Sequence, residues 1–108
     1  MARLSDKKSS KPQYFVVRRM PGPAWNASLP MQSQLRWAEH AAFMNSLETE
    51  GFIILGGPIG SGDDAMLVIE AVSEEALRAR LALDPWSEGR LRIDSVERWT
   101  LLLDSRCR

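Results

Sequence analysis

A ferredoxin-like α+β sandwich, with a four-stranded antiparallel sheet carrying two helices on one face, is the fold class this sequence predicts. Three observations predict it. The segments alternate in the order βαββαβ, and each of two stretches with helix-end signals lies between β-rich runs. Gly60-Ser61-Gly62-Asp63-Asp64 is a hairpin signal that joins the two middle strands. The remaining observation is length: 108 residues suit one domain with a modest core.

The elements follow in order. Tyr14-Phe15-Val16-Val17 is a short β-rich run that ends in Arg18-Arg19 and makes the first strand. Met20 to Gln32 holds Pro21, Gly22, Pro23 and Pro30 around Trp25, which breaks regular structure and predicts a long loop. The first helix is expected from about Ser33 to Glu50, stopped by Gly51 in a left-handed cap. Phe52 to Leu55 is the second strand, which Gly56-Gly57-Pro58 bends or ends, and Ala65 to Ala71 is the third. Ser73 caps the second helix, with Glu74 and Glu75 in its first turn. Leu91 to Leu103 reads as a long last strand with a bulge near Asp94-Ser95, where the alternation falters.

Charge and composition exclude several classes. Fourteen Lys and Arg balance fourteen Asp and Glu, so no overall field recruits nucleic acid or an acidic membrane. Up to Arg36 there are seven basic residues against Asp6 alone, and all the lysines lie within Lys7 to Lys11. Residues 1–13 are therefore expected to be a disordered polar tail before a domain spanning 14–104. No basic start followed by an apolar run suggests a signal peptide and no stretch approaches membrane-spanning length, so a cytoplasmic protein is expected. A single cysteine, Cys107, offers no disulfide and no thiol cluster for a metal.

Both Phe52-Ile53-Ile54-Leu55 and Met66-Leu67-Val68-Ile69 are apolar at every position, the pattern of strands buried on two faces. With helices on one face, something must cover the other. A second copy of the same sheet is the simplest cover, giving a two-fold homodimer whose sheets pack into a closed or nearly closed barrel. RNA binding by such a sheet needs exposed aromatic and basic residues on the central strands, and Ala65 to Ile69 has neither.

The only histidine, His40, falls on the apolar face of the predicted first helix. At roughly 100° per residue it lies among Trp37, Phe43, Met44 and Leu47, with Glu39, Asn45, Ser46, Thr49 and Glu50 opposite. An imidazole aimed at a core requires a polar partner, whether it is a satisfied core residue or a working base. Asp84 stands in Leu83-Asp84-Pro85-Trp86, an acid among apolar residues held extended by the proline after it. Asp-Pro is also an ordinary way to leave a helix. Arg36, one turn before His40, suits either a substrate anion or a surface ion pair. Trp25 is either an anchor for the proline-rich loop or the wall of a pocket, and Trp86 is expected to pack. Gly56-Gly57-Pro58 lacks the spacing and lysine of a phosphate loop and reads as strand-end geometry.

The run His40-Ala41-Ala42-Phe43-Met44-Asn45-Ser46-Leu47, then Glu50-Gly51-Phe52, Gly56-Gly57-Pro58 and later Asp84-Pro85-Trp86, resembles the YCII-related domain family of the dimeric α+β barrel superfamily. The resemblance spans about Tyr14 to Leu103. It implies a His-Asp dyad, here His40 and Asp84, beside a small-molecule site between helix and sheet, with no cofactor demanded by the fold. One related protein resembles a dehydrochlorinase of chlorinated hydroxyquinols. The longer first loop and the basic tail of this chain depart from the plainest members, so the substrate does not carry over.

On this reading His40 is the acid and base and Asp84 orients it, in an elimination, isomerisation or enolisation of a small, partly apolar substrate. Arg36, Trp25, Gly57, Pro58 and Trp86 are the substrate-binding candidates, and neither metal nor cofactor is expected. The other readings are a non-catalytic dimeric ligand-binding or regulatory module, in which the same pair braces the core, and a haem-dependent or cofactor-free oxygenase.

Overall fold

The computed structural model describes residues 12–107. It contains β1 (Gln13–Pro21), α1 (Trp37–Thr49), β2 (Ile53–Pro58), β3 (Ala65–Ala71), α2 (Glu74–Leu81) and β4 (Leu91–Trp99), with short 3-10 turns at Met31–Ser33, Pro85–Ser87 and Ser105–Cys107. The strands form one antiparallel sheet in the order β2-β3-β1-β4. This is a small α+β domain compatible with a ferredoxin-like arrangement. Among the described residues no helix is long and apolar enough to cross a membrane. The tail expected over 1–13 lies outside the described residues except for Pro12 and Gln13, and Gln13 already belongs to β1.

Period-2 alternation sorts each strand into two faces. Phe15 and Val17 of β1, Ile53 of β2, and Leu67, Ile69 and Ala71 of β3 turn inward and pack with Leu47 of α1 and with Leu77 and Leu81 of α2. Full burial of each Val, Leu, Ile or Phe among them stabilises the fold by about 1.5–3 kcal/mol, before the entropy lost on ordering it. Ser73 takes extended backbone geometry and its Oγ accepts the Ala76 N–H at 3.0 Å, the cap expected for α2. Gly51 has φ 84°, and the Gly51 and Phe52 N–H groups bond to Glu48 and Leu47, closing α1 with a Schellman motif.

Four boundaries differ from the sequence reading. β1 runs past Arg18-Arg19 to Pro21, so Arg19 continues the inward series of Phe15 and Val17. α1 begins at Trp37 rather than near Ser33, because Gln34 is buried and ties the preceding loop to itself. The Gln34 Oε1 accepts the Asn26 N–H at 3.0 Å, and Nε2 donates to the Asn26 and Leu29 carbonyls at 2.7 and 3.2 Å. Arg36 then turns through the left-handed region at φ 65° before the helix starts.

β2 carries on through Gly56-Gly57-Pro58, which an edge strand permits because a proline there forfeits no ladder bond. One residue more on β2 than on β3 between the Ile53–Ile69 and Leu55–Val68 pairs makes Ile54 a bulge. β4 ends at Trp99, not Leu103, since its partner β1 offers no pair beyond Tyr14. The bulge expected near Asp94-Ser95 is present: Arg18 and Arg19 face Ser95 and Ile93, leaving Asp94 unpaired.

Candidate active site

His40 is the fourth residue of α1 and is 6% exposed. Its Nδ1 lies 2.9 Å from both carboxylate oxygens of Asp84, 44 residues along the chain. Asp84 is placed by its own local sequence: Pro85 holds it extended, and its Oδ1 accepts the Trp86 N–H at 2.9 Å, capping the 3-10 turn. The turn residue and the histidine partner are therefore the same carboxylate.

A third charged group completes the cluster. Arg19 is 1% exposed, and its Nη1 donates to Asp84 Oδ2 at 2.8 Å. Its Nη2 reaches the Leu91 carbonyl only at 3.5 Å. Ending the first strand at Arg18-Arg19 leaves Arg19 out of the site; the signal for it is its position two residues after Val17 in an inward-facing series.

Aromatic rings lock the imidazole. Trp86 is fully buried and stacks on His40 with centroids 3.9 Å apart and planes 7° from parallel. Trp37 leans on both rings at 5.9 and 5.7 Å, and Trp25 meets Trp86 edge-on at 5.6 Å. The Trp86 indole N–H donates to the Leu35 carbonyl at 2.8 Å, which fixes the stack against the start of α1.

Burial by itself pushes the Asp84 carboxyl up, since a charge loses its water. Hydrogen bonds from His40, the Trp86 backbone and Arg19, together with the charge of His40, outweigh that and hold the group below its ordinary 3.8. An ionised carboxylate only accepts, so Nδ1 carries the hydrogen and, in the neutral ring, Nε2 keeps the free lone pair. Because the folded carboxyl is the more acidic one, its contribution to stability is fully present above the ordinary carboxylate range and is lost as pH falls through the lower folded value. The urea midpoint advantage of the wild type over Asp84→Asn is thus expected to shrink steadily below about pH 4. An advantage that held constant down to pH 2.5 would contradict this assignment.

His40 and Arg19 both line a pocket of about 510 Å³ between α1 and the β2–β3 end of the sheet. Its walls are mainly apolar, with Met31, Trp37, Met44, Ile53 and Leu67 among them, and it has the size of a small-molecule site. Trp25, Gly57 and Pro58 also line it. Trp86 does not: it lies behind the imidazole. Arg36 is exposed, is paired with Glu39 at 2.8 Å and is not part of the lining. Neither models of known protein families nor curated proteins give a match to this chain.

Proposed function

We propose that the chain is a YCII-like acid/base enzyme acting on a small, partly apolar molecule, with His40 as the base and Asp84 as the group that orients it. The observation that carries this reading is the His40–Asp84 bond at 2.9 Å on a ring that also lines a pocket. With Nδ1–H held by Asp84, Nε2 takes a proton from an acidic C–H of the substrate. The electron pair left on carbon forms a double bond, either expelling a leaving group with its own pair or passing into an adjacent carbonyl. Asp84 stabilises the imidazolium that results, and Trp86 stacked on the ring keeps it in place. A dry, apolar wall strengthens each of these interactions.

The test is proton exchange in heavy water. Small carbonyl compounds and halogenated hydroxyaromatics are incubated with the protein, and deuterium incorporation or halide release is followed by NMR. Exchange that depends on His40 supports the reading. Binding without exchange favours a ligand-binding or regulatory module in which the dyad is a brace.

A second copy of the chain is the proposed cover for the sheet face opposite the helices. Leu55 is 65% exposed and Trp99 45%, and Met66 is also exposed; the Ile54 bulge turns Leu55 away from the core face that Ile53 occupies. Apolar side chains of this size on one open face suit a sheet-to-sheet contact. In sedimentation the wild type is expected at about twice its 12.2 kDa. Met66→Lys combined with Leu55→Lys is expected to give a folded monomer, and an unchanged sedimentation coefficient in that variant would count against this face.

A further inference from the structure

Two residues that line the same pocket each carry a buried N–H donor without a hydrogen-bond partner: Nε of Arg19 and Nε1 of Trp25. Native proteins leave few buried donors unsatisfied, and among the described residues only one other side-chain atom, Nε of Arg90, shares this condition. Their concentration at one cavity points to an acceptor group that the protein itself does not supply.

The geometry of Arg19 says which kind. Asp84 engages the guanidinium at Nη1. The opposite edge, formed by Nε and Nη2, makes no contact at Nε and only the 3.5 Å approach to the Leu91 carbonyl at Nη2. Two parallel N–H groups on a planar fork match the two oxygens of a carboxylate. The carboxylates within the lining, Glu48, Asp63 and Asp64, are exposed or part-exposed, so water screens their repulsion. Behind the donors the walls are apolar, which suits a hydrocarbon or aromatic body.

We propose that the Nε–Nη2 edge of Arg19, with the Trp25 indole N–H, is the carboxylate-binding element of this pocket, and that the ligand is a small acid with an apolar body. This deepens the reading of the pocket as a small-molecule site, and it assigns to Arg19 the anion-holding role that the sequence suggested for Arg36. Both nitrogens are shielded from solvent, so a carboxylate held there meets little competition from water.

Calorimetric titration of the full chain at pH 7.5 with benzoate, and with benzyl alcohol as the uncharged analogue, tests this. Benzoate is expected to bind about tenfold more tightly or better, the difference made by charge-assisted bonds. Trp25→Phe, which keeps an aromatic ring and removes the N–H, is expected to cut that preference several-fold, and Arg19→Lys to abolish it. If Arg19→Lys fails to fold, Trp25→Phe decides. No benzoate binding at millimolar concentration, equal binding of the two probes, or a preference untouched by Trp25→Phe overturns the proposal. A preference that is present in a chain without proton-exchange activity supports the carboxylate site and counts against the acid/base reading. The reverse pattern overturns the carboxylate site and leaves the dyad standing.

Discussion

Asp84→Ala is expected to be the most destabilising single substitution in this chain, costing about 3–5 kcal/mol. The carboxylate is 1% exposed and accepts from His40, Arg19 and the Trp86 backbone. Its removal leaves the Arg19 guanidinium buried with no counter-charge, because the remaining contact to the Leu91 carbonyl is long. It also strips the cap from the Pro85–Ser87 turn and creates space beneath the imidazole. For a domain of this size each kcal/mol lowers the melting temperature by roughly 4–8 °C, so a fall of more than 10 °C is expected by calorimetry or circular dichroism. Asp84→Ala combined with Arg19→Met is expected to recover part of the loss, since the pair is then removed together. A loss below 1 kcal/mol would mean that the cluster is not sealed from water as the burial of all three groups implies.

His40→Asn is expected to have the opposite profile, with a large effect on turnover and a smaller one on stability. Asparagine carries its amide N–H close to where Nδ1 stands and so still offers a donor to Asp84, which retains Arg19 and Trp86 as partners. What it lacks is a basic lone pair. Proton exchange in the pocket should therefore fall by ~10²–10⁴, the usual contribution of a positioned general base. The readout is kcat/KM for deuterium incorporation, with the melting temperature as control. An exchange rate within a few-fold of wild type would remove His40 from the chemistry.

How much of this was legible depends on how local each signal is. His40 and Asp84 stand out because helical period and the Asp-Pro dipeptide are short-range patterns, and each points at a polar group needing a partner. Their juxtaposition is a long-range fact that the sequence only suggested. Arg19 escaped because a double arginine after a β-rich run looks like a strand end, whereas the buried side chain is tolerated only through a carboxylate 65 residues away.

The start of α1 was misjudged for a similar reason. Ser33 to Arg36 fit a helix by pattern, and the competing hydrogen bonds of Gln34 to Asn26 and Leu29 exist only once the loop has folded. Pro58 looked like a terminator because nothing local identifies β2 as an edge strand. Leu101-Leu102-Leu103 looked like more of β4 because hydrophobicity does not reveal where the partner strand stops; Leu102 and Leu103 are instead exposed. Cap chemistry at Gly51 and Ser73, and the broken alternation that marks the bulge at Asp94, are written within a few residues, and the structure has all three.

If Asp84 orients the imidazole, the other ring nitrogen is left toward the pocket as a base. The most direct measurement is the tautomer of the neutral ring by ¹⁵N NMR, which needs no assignment because the chain has one histidine. In the wild type Nδ1 is expected to carry the hydrogen and Nε2 to be bare, the reverse of the form that free imidazole side chains favour in water. Asp84→Asn is expected to shift the ring toward Nε2–H. A wild-type ring found mainly as Nε2–H would contradict this assignment, because the lone pair would then point at Asp84 and the pocket would face no base.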